Sequence, residues 1–164
     1  MKIEPRIEDD NFMLAWVSLS HAATRMTQGL EDAFQAELGI SLAEQDLIKQ
    51  IAVNDGLTLT ELARRIFFSK AGITKMLDRL EAQSLLRREA DPDDRRALRA
   101  VLTAKGKRTL TKSRAILRAY LEDHFAAHLS DRNVKQLNQA LRALLEGLDV
   151  WDKQIDHLKG NPHD

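Results

Sequence analysis

The sequence predicts a mainly α-helical fold that carries one small β-hairpin. Glycine and proline are scarce, at 7 and 3 of the 164 residues, and aromatic residues make up only 5% of the chain. A β-sandwich or a barrel needs many more turn residues than this. Apolar residues instead recur at steps of three and four over long stretches, as they do along one face of an α-helix.

A long first helix is predicted over residues 11–38. The apolar residues that form its inner face are Phe12, Trp16, Leu19, Ala23, Met26, Leu30, Phe34 and Leu38. Gly39 can end this helix in a left-handed conformation, which glycine adopts without steric cost. Ser41 and Glu44 then form a capping box, in which each side chain can bond the backbone N–H of the other residue. This box opens a second helix that runs toward Val53.

A short helix and a longer one follow. Thr58 and Glu61 form a second capping box, which opens the short helix Leu59–Ile66. Ser69 can cap the longer helix, which runs to Gln83. The inner face of the longer helix is formed by Ile73, Met76, Leu77 and Leu80.

A hairpin and two last helices complete the chain. Two short strands, Leu85–Glu89 and Ala97–Leu102, flank an acidic turn, as expected for a β-hairpin. Thr103 can cap a fifth helix from Ala104 to about Ala127, and Ser130 can cap a sixth. The sequence therefore predicts six helices with the hairpin between the fourth and the fifth.

The last helix carries a heptad seam, which indicates that a second helix faces it. Its apolar residues alternate steps of three and four: Val134, Leu137, Leu141, Leu144, Leu148, Trp151, Ile155 and Leu158. A seam of this length left open to water would cost too much free energy, at about 25 cal/mol per Å² of apolar surface. We therefore expect a homodimer through the terminal helices. The residues predicted to form it are Phe12, Trp16, Leu137, Leu141, Leu144, Leu148, Trp151 and Ile155.

The charges of the chain are segregated, although the formal net charge is zero. Residues 64–108 contain 13 Lys and Arg against 6 Asp and Glu, a net charge of +7. Of the 25 residues of each sign, 12 basic and 19 acidic ones remain for the rest of the chain, a net charge of −7. A basic middle in an acidic scaffold is typical of a module that faces nucleic acid.

The order helix, helix, basic helix, hairpin is that of a winged helix-turn-helix. The basic helix can enter the major groove of duplex DNA, and an arginine at the hairpin can enter the adjacent minor groove. The residues predicted to contact DNA are Ser69, Lys70, Thr74, Lys75, Arg79, Arg95, Arg96 and Arg99. Arg87 and Arg88 fit either the surface of the wing or a phosphate contact.

Three runs of sequence resemble the MarR family of transcriptional regulators. They are residues 80–88 (LEAQSLLRR), 94–96 (DRR) and 102–106 (LTAKG), and their spacing and the helix order match that family over residues 11–158. The resemblance implies a regulator that binds a pseudo-palindromic operator as a homodimer, as a ligand-responsive repressor. Gly72, Lys75 and Ser84 depart from the family's commoner residues. Lys75 lacks the bidentate fork of arginine, so the base preference of relatives cannot be transferred.

The resemblance also implies an effector site and raises the question of a metal. Members of the family commonly bind small anionic aromatic molecules, and Trp16, His21 and Arg25 are the candidate ligand-binding residues. His124 and His128 lie one helical turn apart, as in zinc-sensing relatives, and Asp46 is a candidate third ligand. No full ligand set is visible, so we expect no metal and no other cofactor. A metal-responsive regulator of the same fold stays an alternative.

Several other classes are disfavoured. The chain has no cysteine, and its N-terminus has no apolar segment of the kind found in signal peptides. No run is long enough to span a membrane, and no nucleophile–base pair or phosphate-binding loop is present, so we expect a cytoplasmic protein that is not an enzyme. A helical protein–protein adaptor that does not bind DNA is the second alternative.

The predicted organisation is a dimerisation helix at 1–38 and a DNA-binding domain at 40–103. Dimerisation helices at 104–158 and a tail at 159–164 follow.

Overall fold

A computed structural model describes residues 10–54, 58, 61, 70–92, 94 and 96–148. The chain forms two compact units, Met1–Tyr120 and Leu121–Asp164. The elements are α1 (Asn11–Leu38), α2 (Leu42–Val53), α3 (Lys70–Ala82), β1 (Leu86–Ala90), β2 (Leu98–Leu102), α4 (Ala104–His124), a 3₁₀ turn (Ala126–His128) and α5 (Asp131–Gly147). The predicted fold class, mainly helical with a hairpin, is confirmed. Five α-helices are described instead of six, since the predicted helix Leu59–Ile66 lies, apart from Glu61, outside the described residues.

The boundary between α1 and α2 follows the predicted capping chemistry. Gly39 ends α1 in the left-handed conformation, with φ of 66°. The Ser41 hydroxyl accepts a hydrogen bond from the Glu44 N–H at 3.1 Å, and a Glu44 carboxylate oxygen accepts one from the Ser41 N–H at 2.8 Å. Glu31 adds a contact that the sequence did not suggest, because its carboxylate accepts a hydrogen bond from the Leu42 N–H at 2.6 Å. Two carboxylates therefore hold the start of α2.

The end of α3 is a Schellman motif built around a serine. The Leu85 N–H donates to the Leu80 carbonyl at 2.9 Å, and the Ser84 N–H donates to the Glu81 carbonyl at 2.8 Å. Ser84 has φ of 58°, and it is the one residue other than glycine with a positive φ in the described part of the chain. Because Leu85 belongs to this cap, the first strand begins at Leu86, one residue later than predicted.

The hairpin is a two-stranded antiparallel sheet in which Leu86 pairs with Leu102 and Ala90 with Leu98. Its acidic turn is stabilised by hydrogen bonds between its own side chains and backbone. The Asp91 carboxylate accepts from the Asp94 N–H at 3.0 Å, and the Asp94 carboxylate accepts from the Arg96 N–H at 2.9 Å. Both aspartate side chains therefore stabilise the turn itself. An isolated antiparallel bridge from Thr58 to Arg99 adds a third partner at the sheet edge.

The base of the hairpin lies in close contact with the start of α4. The Thr103 hydroxyl donates to the Ser84 carbonyl at 2.7 Å and accepts from the Gly106 N–H at 3.1 Å, which confirms Thr103 as a helix cap. A side chain at Gly106 would collide with the backbone carbonyl oxygen of Leu85. The glycine in the Leu-Thr-x-x-Gly run is therefore required by the close approach of two backbones.

One hydrophobic core lies in the first unit and joins residues from every element from α1 to α4. Its largest fully buried apolar side chains are Phe34, Ile40, Leu47, Ile48, Leu77, Leu80 and Leu86. In the second unit, by contrast, no residue between 121 and 148 is buried. Within the described residues, no helix is long and apolar enough to cross a membrane.

Candidate nucleic-acid interface

The helix α3 has one buried face and one exposed face. Ile73, Leu77 and Leu80 are buried in the core, at the spacing predicted from the sequence. Thr74 and Lys75 are exposed on the other side. Lys75 forms no ion pair with any described residue, so its ammonium group is available to a phosphate or to a base edge. The predicted division of α3 into a core face and a polar face is confirmed.

Arg79 is attached to α2 by a buried carboxylate. Its Nε lies 3.3 Å from an oxygen of Glu44, whose side chain is only 2% exposed, whereas the Arg79 side chain is 53% exposed. The other Glu44 oxygen caps α2 through Ser41. A buried carboxylate needs such partners, because desolvation penalises an unpaired charge. Arg79 therefore positions α3 on α2, in addition to any contact that it makes with DNA.

Arg88 connects the hairpin, which is the wing of this fold, to the end of α3. Its guanidinium donates to Glu81 at 2.9 Å and to Asp78 at 2.6 Å, and its backbone N–H donates to Glu81 at 3.0 Å. The Arg88 side chain is 22% exposed. Of the two interpretations left open for Arg88, the structure favours a role inside the protein. The single positive charge of Arg88 also offsets part of the negative charge of these two acidic groups, which would otherwise repel phosphate from α3.

The remaining arginines of the wing are less constrained. Arg87 forms an ion pair with Glu89, and the second Glu89 oxygen lies 3.7 Å from Arg99 across the hairpin. Arg99 is partly buried, so this pairing draws it toward the sheet. Arg96 is exposed beside the turn. Arg95 and Ser69 lie outside the described residues, as does the side chain of Lys70, the first residue of α3.

The pairing partners of Arg79 and Arg88 were not predicted from the sequence. Glu44 was identified only as a capping residue, because its burial depends on the packing of α3 against α2. The interactions of Arg88 with Asp78 and Glu81 cross from a strand to a helix, a geometry that sequence spacing does not encode. The one available signal was the excess of acidic residues near the end of a helix that was otherwise predicted to face DNA.

The candidate ligand-binding residues Trp16, His21 and Arg25 are all exposed on α1. They do not line the open groove of about 840 Å³ that lies between α1 and α2. The groove is lined instead by residues from Ala23 to Glu31 and from Leu42 to Asp46. The assignment of the three residues to an effector site stays a prediction.

The candidate metal ligands do not form a site in the part of the chain that the structure describes. His124 and His128 are both exposed. Among these described residues, no group of three or more His, Cys, Asp or Glu side chains is placed to hold a metal ion.

The predicted dimerisation residues include several large exposed apolar side chains. Phe12 is 70% exposed, Trp16 63% and Leu148 59%. Leu137 and Leu141 are partly exposed, and Leu144 is 46% exposed. Trp151 and Ile155 lie outside the described residues. None of the described residues of the seam is fully buried in the single chain.

Comparison with known proteins gives a consistent answer. Residues 38–97 match the model of the MarR family. The chain is 27% identical over 126 residues to the transcriptional regulator HosA of Escherichia coli, with 76% of this chain and 93% of that protein covered. It is 30% identical over 82 residues to an HTH-type transcriptional repressor of Mycobacterium bovis, with 50% of this chain and 59% of that protein covered.

The fold also matches solved structures. AbsC, a MarR family transcriptional regulator from Streptomyces coelicolor, is 26% identical, with a TM-score of 0.73 and with 91% of this chain and 99% of that chain covered. Sco3205 from the same organism, solved in complex with DNA, is 24% identical, with a TM-score of 0.73 and with 94% of each chain covered. The chain is therefore a transcriptional regulator of the winged helix class and not an enzyme. In its fold and in residues 38–97 it is similar to the MarR family.

Proposed function

We propose that this protein is a ligand-responsive repressor that binds a pseudo-palindromic operator as a homodimer. The observation that carries the proposal is that ion pairs hold α3 to α2 and to the hairpin. Arg79 is fixed to Glu44 of α2, and Arg88 of the wing is fixed to Asp78 and Glu81, while Thr74 and Lys75 stay exposed. A helix held in this way, with an exposed polar face, is suited to insertion into the major groove. The Mycobacterium bovis relative is named a repressor, and this name supports repression rather than activation.

The homodimer is supported by the apolar stripe of α5. Leu137, Leu141 and Leu144 keep a heptad spacing, and none of them is buried in the single chain. A second copy of the same helix would cover them with the same spacing. Two-fold symmetry then sets two α3 helices about one turn of DNA apart, on the order of 34 Å, which requires a pseudo-palindromic site. Such a protein acts in the cytoplasm, where its operator is accessible.

The ligand response is supported by the exposed polar and aromatic surface of α1. Trp16 can stack on an aromatic ring, and Arg25 can pair with a carboxylate. A neighbouring structure with this fold, CouR from Rhodococcus jostii, was solved with p-coumaroyl-CoA bound. A ligand that favours a spacing of the two α3 helices unmatched to DNA would release the operator by a population shift.

The test starts with selection of bound fragments from the genome of the source organism. The proposal expects fragments that share an inverted repeat with half-sites about one helical turn apart, and two chains bound per site in sedimentation of the complex. Affinity should fall steeply as salt increases. Fragments without a repeated half-site, or one chain bound per site, would overturn the dimeric operator model. Binding unaffected by salt would overturn the interface on α3.

A further inference from the structure

Glu44 is a buried carboxylate whose two oxygens have different partners. Its side chain is 2% exposed. One oxygen accepts a hydrogen bond from the Ser41 N–H at 2.8 Å, and the other lies 3.3 Å from Nε of Arg79 on α3. The Glu44 N–H also donates to the Ser41 hydroxyl at 3.1 Å, so the first turn of α2 holds the carboxylate in place. Glu44 therefore gives Arg79 a partner of fixed position.

Arg79 is only partly occupied by this contact. Its side chain is 53% exposed, and it forms no other ion pair with a described residue. The contact with Glu44 is made through Nε, so the two terminal nitrogens, which carry most of the N–H donors of an arginine, are left for another partner. Neutralising Glu44 uses one nitrogen of Arg79 and does not require the rest of the guanidinium to be exposed.

The position of Arg79 on α3 indicates what that partner is. Residues four apart on a helix are neighbours on its surface, and Lys75 lies one turn before Arg79. Lys75 is exposed and forms no ion pair with a described residue. Two like charges at this spacing destabilise a helix, and an anion beside them relieves the repulsion. This part of α3 therefore favours an anionic partner, and it is continuous with the face that carries the proposed DNA contact.

We propose that Glu44 is a positioning residue for DNA binding, which holds the guanidinium of Arg79 in place for contact with a phosphate of the DNA backbone. This role rests on the proposed function. A long side chain loses rotamer freedom when it binds, and an arginine already ordered by Glu44 loses less. A phosphate is favoured over a base edge, because an arginine held against α2 cannot also extend to the floor of the major groove. Phosphate contacts carry no sequence information, so Glu44 supports affinity and not specificity.

Glu44→Gln is expected to act against simple electrostatics. Loss of a negative charge normally strengthens the binding of a protein to DNA, because the phosphates are anionic. The glutamine amide, however, replaces one of the two acceptor oxygens by an NH₂ donor. When the remaining oxygen accepts from Ser41, the NH₂ group faces Nε of Arg79, and the guanidinium loses its fixed partner. Glu44→Gln should therefore weaken DNA binding although the protein becomes more positive.

The experiment titrates the full-length protein with operator and scrambled duplex at several salt concentrations. Glu44→Gln should weaken binding to both duplexes by the same factor, about tenfold, with a salt dependence like that of the wild type, because Arg79 keeps its charge. Arg79→Ala should also weaken both, and should flatten the salt dependence by about one charge per subunit. Binding by Glu44→Gln that equals or exceeds wild-type binding would overturn the inference, and so would a loss confined to the operator.

A double variant separates positioning from a role in the stability of α2. If Glu44 acts through Arg79, then Glu44→Gln/Arg79→Ala should bind both duplexes within about twofold of Arg79→Ala alone. A loss from Glu44→Gln that persists without Arg79 would overturn the inference and leave the proposed function intact. A wild-type protein that binds neither duplex would instead overturn the proposed function, and this role with it.

Two matched controls test the cap and the charge. Ser41→Ala removes the hydroxyl that accepts from the Glu44 N–H but keeps the backbone N–H that donates to its carboxylate. It should lower the melting temperature and leave DNA affinity unchanged. Glu37→Gln removes the same charge from an exposed position of α1 and should not weaken binding.

Thermal unfolding verifies that each variant is folded at the temperature of the titration. If Arg79→Ala does not fold, because it leaves Glu44 buried and unpaired, the comparison of Glu44→Gln with Ser41→Ala decides the question. A loss of affinity in Glu44→Gln alone supports the positioning role. Equal losses in the two variants would overturn it.

Discussion

The winged helix segment, residues 40–103, and helix α5 use apolar residues in opposite ways. In the winged helix segment, Leu77, Leu80 and Leu86 are almost completely buried, and charged residues at its edges are paired. In α5, the leucines recur with equal regularity, but no described residue of that helix is buried. Regular spacing alone therefore does not tell which surface covers an apolar face. The apolar face of the first segment is covered by its own chain, whereas for α5 we propose a second copy of the chain as the covering surface.

The largest effect is expected from charges placed on the α5 seam. In Leu141→Asp/Leu148→Asp, two carboxylates would be buried without partners at the proposed dimer interface. Sedimentation should show a monomer, aggregation or unfolding. The matched control is Gln136→Asp/Ala143→Asp, with the same spacing of seven residues on exposed positions of the same helix, and it should stay dimeric. A well-folded, unchanged dimer of the Leu variant would rule out this interface.

A single methyl group at Gly106 should strongly destabilise the winged helix segment. In Gly106→Ala, the new methyl group would collide with the Leu85 backbone carbonyl, which cannot move without shifting the base of the hairpin. We expect a loss of about 2–4 kcal/mol in the free energy of unfolding, measured by urea denaturation. Gly147→Ala in α5 is the control, because nothing lies within 4 Å of the added group. That change should be neutral or stabilising, and equal losses in the two variants would contradict the close approach.

Two neighbouring arginines of the wing should differ in their effect on stability. Arg88→Ala leaves Glu81 and Asp78 without their shared cation and should cost about 1–2 kcal/mol. Arg87→Ala breaks only a solvent-exposed pair with Glu89 and should cost less than about 0.5 kcal/mol. Both values follow from urea denaturation of the two variants. If the two losses are the same, Arg88 does not anchor the wing to α3.

The smallest effect is expected at Ser84, and it has the opposite sign. Its φ of 58° is strained for a residue with a side chain but not for glycine. Ser84→Gly should raise the melting temperature, corresponding to a gain of up to about 1 kcal/mol in the free energy of unfolding. A lower melting temperature would show that the serine side chain contributes more than the strain costs.

The sequence was sufficient for local structure and insufficient for contacts across elements. The bounds of α1, the cap at Ser41 and the cap at Thr103 depend on residues within one turn of each other, and all three were predicted. The buried position of Glu44 and the pairing of Arg88 depend on how α3 packs on its neighbours. Periodicity carries no information about that packing. For the same reason, Arg79 was predicted as a DNA contact without its attachment to α2.

The central claim is that the exposed face of α3 binds DNA, and Lys75 tests it most directly. Lys75→Ala should leave the unfolding free energy unchanged, because Lys75 is exposed and forms no ion pair with a described residue. The measurement is titration of operator and scrambled duplex at several salt concentrations. Lys112→Ala is the control, since Lys112 is an exposed lysine of α4.

Lys75→Ala should reduce the dependence of log K on log salt by about one charge per subunit if the lysine contacts a phosphate. If it contacts a base edge, the variant should lose about 1–3 kcal/mol of discrimination at one base pair. Lys112→Ala should behave like the wild type. If Lys75→Ala binds both duplexes like the wild type at every salt concentration, α3 does not contact DNA in the way described.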